Sequence, residues 1–375
     1  MICMKYFIKT YGCQMNESDS ERIASVLDSF GNKKASKMDE ADFVIINLCS
    51  VRQTAIDRIH GQFSAKSKLT KNKKRPKLIL TGCILKSDKK RFSEKIDLIF
   101  DVREMEELEK FLKNNSDDWR NKINLMNRDR DNELNINYLK VDPKYKHKNH
   151  AFVPVMTGCN NFCSYCVVPY TRGEEKSRGA KEIIEEIEGL VKKGYSEITL
   201  LGQNVNSYSS LDEKGKKVNF GNLLKFLNKI PGEFKISFIT NHPKDMKDGL
   251  IKAIRDCEKV VKYIHLPFQS GDDEVLKKMN RHYTQKDYLN LVKKIKKEIP
   301  GVKFSSDVIV GFPGETDKQF NETVKVIKKV GFDIVYINKY SPREGALAAK
   351  KYEDDISWAE KKRRWGVIND IVRAK

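Results

Sequence analysis

Residues 158–172 read GCNNFCSYCVVPYTR and set Cys159, Cys163 and Cys166 in the spacing C-x3-C-x2-C. Three thiolates so close in sequence wrap a short loop around one face of a metal centre. Clustered thiolates select zinc or an iron-sulfur cluster over hard cations. A structural zinc site closes on four ligands, and the nearest upstream donor, His150, lies nine residues before Cys159. A cubane cluster normally takes four cysteines, so three leave one iron open to a small molecule.

Outward from this loop the chain alternates strand and helix patterns. Apolar runs predict strands at 152–156, 197–201, 235–239, 262–266, 303–310 and 333–338. Between them Ile183, Ile184, Ile187 and Val191, then Leu223, Leu224 and Leu227, then Tyr288, Leu291, Val292 and Ile295 recur at helical spacing. Six such units make an open (βα)6 partial barrel, whose active face is the carboxyl end of its strands. The cysteine loop follows the first strand and so belongs to that face. LGQNVNSY, ITNHP, HLPFQSGDD, GFPGET and YSPREG would ring the same opening.

The N-terminal part alternates in the same way. A strand over 5–10 leads to YGC at Cys13, and a helix over 17–30 buries Ile23, Val26, Leu27 and Phe30 before Gly31 stops it. Strands at 43–48 and 77–80 lead to Cys49 and Cys83, and a short strand at 97–101 with a helix at 104–112 completes the set. This is the pattern of a doubly wound parallel α/β sheet, where ligands bind beyond the carboxyl ends of the strands. Cys13, Cys49 and Cys83 occupy that position in three successive units. The competing reading is three small core cysteines, since free Cys is often buried. Residues 142–150, DPKYKHKNH, read as a linker. The chain therefore divides into an N-terminal domain at 1–120, a linker at 121–148 and the barrel at 149–375.

Lys and Arg number 72 against 52 Asp and Glu, for a formal charge of +20. A field of that sign attracts a polyanion, nucleic acid being the commonest, although lysine scattered along the chain accounts for the excess equally well. The densest run, 66–77, holds seven positive residues in twelve. No apolar run reaches the length of a membrane span, and the start, MICMKYFIKT, has no apolar signal core, so a cytoplasmic protein without membrane association is expected. There cysteines stay reduced, which favours metal binding over disulfides. Cys3 and Cys257 belong to no motif and are expected to pack. Arg172 and Arg178 are candidates for binding a carboxylate or phosphate.

The cysteine loop resembles the radical S-adenosylmethionine (SAM) signature, with Tyr165 fitting the aromatic that lies against the cofactor's adenine. The whole chain resembles the radical SAM methylthiotransferases. YGCQMNESDS, NLCSVRQTA and TGC are similar to that family's three N-terminal cysteine motifs, and FVPVMTGCNNFCSYCVVPYTRGEEKSR to its radical SAM loop. LGQNVNSY and HLPFQSG are similar to the MiaB-type branch, which acts on N6-isopentenyladenosine next to the anticodon of tRNA.

The resemblance implies two 4Fe-4S clusters. One, on Cys159, Cys163 and Cys166, binds SAM and cleaves it reductively to a 5′-deoxyadenosyl radical. An auxiliary one, on Cys13, Cys49 and Cys83, carries the sulfur. A methylthio group is then added to C2 of the adenine, with a second SAM giving the methyl. An electron donor and a sulfur source are implied as partners, and Gly202, Gln203, Asn204, Gly311 and Gly314 are placed to meet SAM, each with a plain strand-end turn as the alternative. GCILKSDKK and YSPREGALAA depart from the family pattern. The family usually continues into a small β-rich RNA-binding domain called TRAM, expected to be absent here because the chain stops at Lys375. The alternatives are methylthiolation of threonylcarbamoyladenosine in tRNA or of a ribosomal protein, and a non-enzymatic RNA-binding protein stapled by iron-sulfur clusters.

Overall fold

The computed structural model describes residues 4–50, 75–115 and 137–374. It divides into two compact units, Met1–His147 and Lys148–Lys375. Cys3 and residues 66–74 of the basic run lie outside the described residues. At the end of the basic run Arg75 and Lys77 reach Asp97 at 3.7 and 3.3 Å. No helix among the described residues is long and apolar enough to cross a membrane.

In the first unit the order is β1 (Lys5–Tyr11), α1 (Gln14–Ser29), β2 (Lys33–Lys34), β3 (Phe43–Cys49), β4 (Lys77–Cys83), α2 (Lys86–Phe92), β5 (Leu98–Ile99) and α3 (Met105–Asn115). The strands form one sheet in the order β2-β1-β3-β4-β5, every pair parallel. β3, FVIINLC, is buried along its whole length, as a central parallel strand covered on both faces must be.

Three boundaries differ from the sequence reading. β4 runs on through the polar Thr81 to Cys83, because the β3 ladder pairs Asn47 with Thr81, Leu48 with Gly82 and Cys49 with Cys83. Gly82 has φ 112°, and a Cβ there would lie 2.2 Å from the Leu48 carbonyl oxygen, so only glycine lets the strands stay paired. α1 begins three residues early because Cys13 is its N-cap residue. The later part of the expected linker also lies along α1: Lys144 N donates to the Glu21 carbonyl (3.0 Å) and Lys146 N to the Glu21 carboxylate (2.9 Å).

The second unit begins with β6 (His150–Pro154), β7 (Met156–Thr157), α4 (Val168–Arg172), β8 (Lys176–Ser177), α5 (Ala180–Lys192) and β9 (Glu197–Leu201). Next come β10 (Ser209–Leu211), β11 (Lys217–Asn219), α6 (Phe220–Asn228), β12 (Lys235–Phe238), α7 (Asp248–Asp256) and β13 (Tyr263–His265). The rest is α8 (Asp273–Lys278), α9 (Gln285–Glu298), β14 (Lys303–Val310), α10 (Asp317–Val330), β15 (Ile334–Lys339), α11 (Leu347–Lys351) and α12 (Trp358–Arg373). β6, β9 and β12 pair in sequence order, as do β13, β14 and β15, all parallel. A bridge from Ile236 to Val260 joins the two halves. The result is the six-stranded open barrel, with β6 and β15 as its edge strands.

The expected strand 152–156 is split, since Met156 and Thr157 leave the barrel ladder to pair antiparallel with Ser177 and Lys176. The β10–β11 hairpin carries no strand signal and exists through its own pairing. Helix faces follow the pattern: Ile183, Ile187, Leu223, Leu224, Leu227, Tyr288, Val292 and Ile295 are buried, with Leu190 taking the place expected for Val191.

α12 packs against β15, where Trp365 Nε1 donates to the Ile337 carbonyl (3.1 Å). It also delivers Arg364, 4% exposed, to the buried Glu315. Glu315 Oε2 accepts from Arg364 Nη1 and from Gly311 N, both at 2.7 Å. Burial pushes the Glu315 carboxyl above the usual carboxylate range even so. Replacing Arg364 with Ala strands this carboxylate and is expected to cost about 3 kcal/mol of stability. Urea unfolding followed by circular dichroism would measure the loss, and Glu315→Gln in the same background should restore part of it.

Candidate metal centres

β1, β3 and β4 are neighbours in the first sheet, so the residues that follow or end them share one carboxyl edge. Cys13 follows β1, while Cys49 and Cys83 end β3 and β4 as direct register partners. Two asparagines hold the remaining cysteine to this edge. Asn16 Oδ1 accepts from Cys13 N (3.3 Å) and from Cys13 Sγ (3.4 Å), closing the first turn of α1. Asn16 Nδ2 donates to Asn47 Oδ1 (2.8 Å), and Asn47 Nδ2 donates back to the Asn16 carbonyl (2.8 Å) and to Ser20 Oγ (3.0 Å). Both asparagines are fully buried. The sequence reading missed them, although a lone Asn inside the apolar run FVIINL was a visible signal, because a buried amide must find partners.

In the second unit the C-x3-C-x2-C loop sits on the carboxyl rim of the barrel. It is anchored at several points. Gly158 N donates to Gln203 Oε1 (2.5 Å), Cys159 N to the Gly173 carbonyl (3.1 Å) and Ser164 N to the Met279 carbonyl (3.0 Å). Asn280 Nδ2 donates to the Phe162 carbonyl (2.9 Å). Gly158 has φ 81°, and a Cβ would fall 1.8 Å from the Glu174 carbonyl oxygen, so the loop entrance requires glycine.

Each of the three sulfurs receives one N–H donor at 3.5 Å: Asn161 Nδ2 at Cys159, Val168 N at Cys166 and Arg281 Nη1 at Cys163. Such donors stabilise a ligating thiolate and tune the metal behind it. Arg281 is itself buried, its other nitrogens bound to Tyr283 Oη (2.9 Å) and the Pro267 carbonyl (2.7 Å). Burial pushes the Cys166 thiol up to about 12 and raises Cys159 as well. An anionic sulfur here is favourable only with positive charge at the site, which a metal centre brings. Among the described residues no three His, Cys, Asp or Glu side chains are grouped closely enough to hold a metal ion as they stand. None of the described cysteines forms a disulfide.

The other expected residues have local duties. Gln203 holds Gly158, and Asn204, 1% exposed, donates to Asp245 Oδ2 (2.8 Å). Gly202 gives its space to the Met156 side chain, Gly311 to Lys361 and Gly314 to Lys278. The Gly314 N–H is taken by Asp355 (2.8 Å) and that of Gly311 by Glu315. Tyr165 packs against the apolar group of Val275, Met279, Ile309, Phe312 and Tyr340. Arg178 is buried against Glu186 (2.6 Å), which leaves it a structural residue, and Arg172 is buried too. Arg281 was not anticipated, since it stands 118 residues from the sulfur it meets.

Among the described residues four non-glycine residues have positive φ: Phe162 (46°), Thr240 (73°), Gln269 (66°) and Asn280 (57°). Phe162, Thr240 and Gln269 lie in loops that follow barrel strands, and Asn280 follows α8. Strain of this kind costs of order 1–3 kcal/mol per residue and gathers where a site is pre-shaped.

Comparison with known proteins agrees with this geometry. Residues 153–327 match the family described as the Radical SAM superfamily, and residues 5–101 match the Uncharacterized protein family UPF0004. The chain is 43% identical over 380 residues to a tRNA-2-methylthio-N(6)-dimethylallyladenosine synthase of Clostridium novyi, covering 99% of this chain and 82% of that protein. It is 42% identical to the protein of the same name from Clostridium tetani, over 97% of this chain and 81% of the other. Among solved structures the radical S-adenosylmethionine methyltransferase TsrM from Kitasatospora setae, with cobalamin and a 4Fe-4S cluster bound, superposes with a TM-score of 0.61 at 12% identity. That match covers 93% of this chain and 77% of TsrM, and shows a shared fold.

The asparagine network gives a direct test of the first cysteine set. Replacing Asn16 with Ala removes both bonds to Cys13, so anaerobic reconstitution with iron and sulfide should load about four irons per chain where the parent loads about eight. Iron assay and Mössbauer spectroscopy would measure this.

Proposed function

The chain belongs to the radical SAM methylthiotransferases, and from that membership we propose that it methylthiolates C2 of N6-isopentenyladenosine next to the anticodon of tRNA. The observation that carries this reading is the pair of three-cysteine sets, each on the carboxyl rim of its own parallel sheet, in a chain that matches the relatives so named over nearly its full length.

Two 4Fe-4S clusters and SAM, when bound, supply the one-electron chemistry and the sulfur that side chains lack, since the C2 hydrogen of an adenine is not acidic enough for a general base. The chain's residues do the rest. Cys159, Cys163 and Cys166 hold one cluster and leave an iron open to SAM. Asn161, the Val168 amide and Arg281 fix the charge on those sulfurs. Cys13, Cys49 and Cys83 hold the other cluster, with Asn16 and Asn47 keeping Cys13 in place. Tyr165, braced by its apolar neighbours, offers its ring beside the loop. The formal charge of +20 favours a polyanionic substrate. An electron donor and a source of sulfur are the remaining partners this chemistry calls for.

The test is anaerobic reconstitution followed by incubation with SAM, a reductant and isopentenylated tRNA, with mass spectrometry of the released nucleosides. The methylthio nucleoside is expected from tRNA, and no modified residue from a ribosomal protein offered in parallel. Replacing Cys159, Cys163 and Cys166 with Ala should abolish 5′-deoxyadenosine formation. Replacing Cys13, Cys49 and Cys83 should abolish only the methylthio product. Product formed at the parent rate by either triple variant would overturn the assignment.

A further inference from the structure

The two last-paired strands of the barrel show what lines its lumen. Side chains alternate across a strand, and on β14 Ser306 Oγ meets the Leu266 carbonyl together with Tyr288 Oη of α9, so Phe304, Ser306, Val308 and Val310 are on the face the helices cover. Ser305, Asp307 and Ile309 therefore face inward. Parallel register sets Ile334 beside Ser305, Tyr336 beside Asp307 and Asn338 beside Ile309, so these β15 residues share the inner face. His265 of β13 stands level with Ser305 on the other side.

Here a polar group is held in one orientation next to open apolar surface. His265 Nε2 meets Asp307 Oδ2 at 2.8 Å and His265 Nδ1 meets Ser305 Oγ at 2.9 Å. A carboxylate can only accept, so Nε2 carries the hydrogen and, in the neutral ring, Nδ1 takes the Ser305 hydroxyl. This fixes the imidazole and, through it, the carboxylate. The Tyr336 ring lies edge-on to His265 with centroids 5.9 Å apart, yet is 52% exposed, and Ile334 is 42% exposed. An aromatic face and a branched aliphatic side chain left open on a concave wall, beside a fixed acceptor, make a small-molecule subsite. Asp307 lies three residues, about 10 Å, inside the carboxyl end of β14, well below the rim that carries the cysteine loop.

Resting on the methylthiotransferase reading, we propose that this wall seats the target nucleobase. Tyr336 stacks on the purine, Asp307 accepts the single N6–H, and Ile334 lies against the isopentenyl chain. An N6-prenylated adenine offers a π-face, one exocyclic N–H and a branched hydrocarbon, which matches the three groups one for one. His265 and Ser305 are positioning residues for Asp307. Base–aromatic stacking and a prenyl contact are each worth roughly tenfold or more in affinity.

The test uses two anticodon stem-loop RNAs that differ only in the isopentenyl group, with binding and methylthio product both measured on reconstituted protein. The parent should prefer the isopentenylated RNA by about tenfold or more. Ile334→Ser should bring that preference close to one. Tyr336→Ala should weaken both RNAs about tenfold, and Tyr336→Phe should recover the loss, which separates stacking from misfolding. Asp307→Asn and His265→Gln should lower product from the isopentenylated RNA. Parent-like preference and affinity in Ile334→Ser and Tyr336→Ala, while the parent makes product, would overturn the wall assignment alone. A rise in KM for SAM with RNA binding unchanged would give the wall to the cofactor and also overturn it. A parent that cleaves SAM but makes no methylthio product from either RNA would overturn the methylthiotransferase reading itself, and this proposal with it.

Discussion

Parallel pairing of β3 with β4, in the register that sets Cys49 beside Cys83, is the constraint on which the first cysteine set depends. Parallel strands end on the same side, so a residue at the end of one is brought to the end of the next across any length of intervening chain. Register is as important as direction. Successive side chains alternate between faces, and a slip of one residue would turn one of the two sulfurs to the opposite side of the sheet. Gly82 guards this register, since any larger residue would push against the Leu48 backbone. Cys13 is outside the ladder and needs the Asn16–Asn47 exchange instead.

The second unit meets the same demand in a different way. Its three sulfurs come from one short loop, so no long-range pairing has to gather them, but a short loop has few bonds of its own. Neighbouring segments therefore hold it: Gln203 from after β9, Met279 and Asn280 from after α8, and Ala348 in the first turn of α11, whose N–H donates to the Ser164 carbonyl at 2.6 Å. Two of the positive-φ residues, Phe162 and Asn280, lie among these contacts. The strain is stored where several elements determine one geometry together, and the well-packed barrel below supplies the stability to hold it.

What the sequence disclosed and what it concealed follow from range. The strand at 43–48 was legible because burial on both faces leaves an apolar run broken only by Asn47, and the one at 303–310 because it ends in the β-branched run Val308–Val310. Thr81, Gly82 and Cys83 were not legible as strand, because a partner strand holds them there rather than their own propensity. β2, β7 with β8, and β10 with β11 are too short for any periodicity. The placement of the six cysteines, three after parallel strands and three in one loop, was legible from spacing. Asn16, Asn47 and Arg281 were not legible, since each acquires its role from a residue 31 or 118 positions away. Gly311 and Gly314 stand beside the Lys361 and Lys278 side chains, neighbours that spacing alone does not reveal. His265, Asp307 and Tyr336 look ordinary in sequence, because only the register of three strands makes them neighbours.

β6 and β15 end the strand order of the barrel, each with one side lacking a strand partner among the described residues. A closed eight-stranded barrel is a ring with its interior filled by its own side chains. A nucleobase is a side group of its polymer, so it enters a barrel without the backbone following. A barrel with a seam leaves a lateral opening beside the mouth. One nucleotide can be swung out of its stack and laid in from the side while both flanking phosphodiesters stay outside. The open seam then adds a way in: a closed ring admits a base through the mouth alone, and a seamed barrel admits it from the side as well.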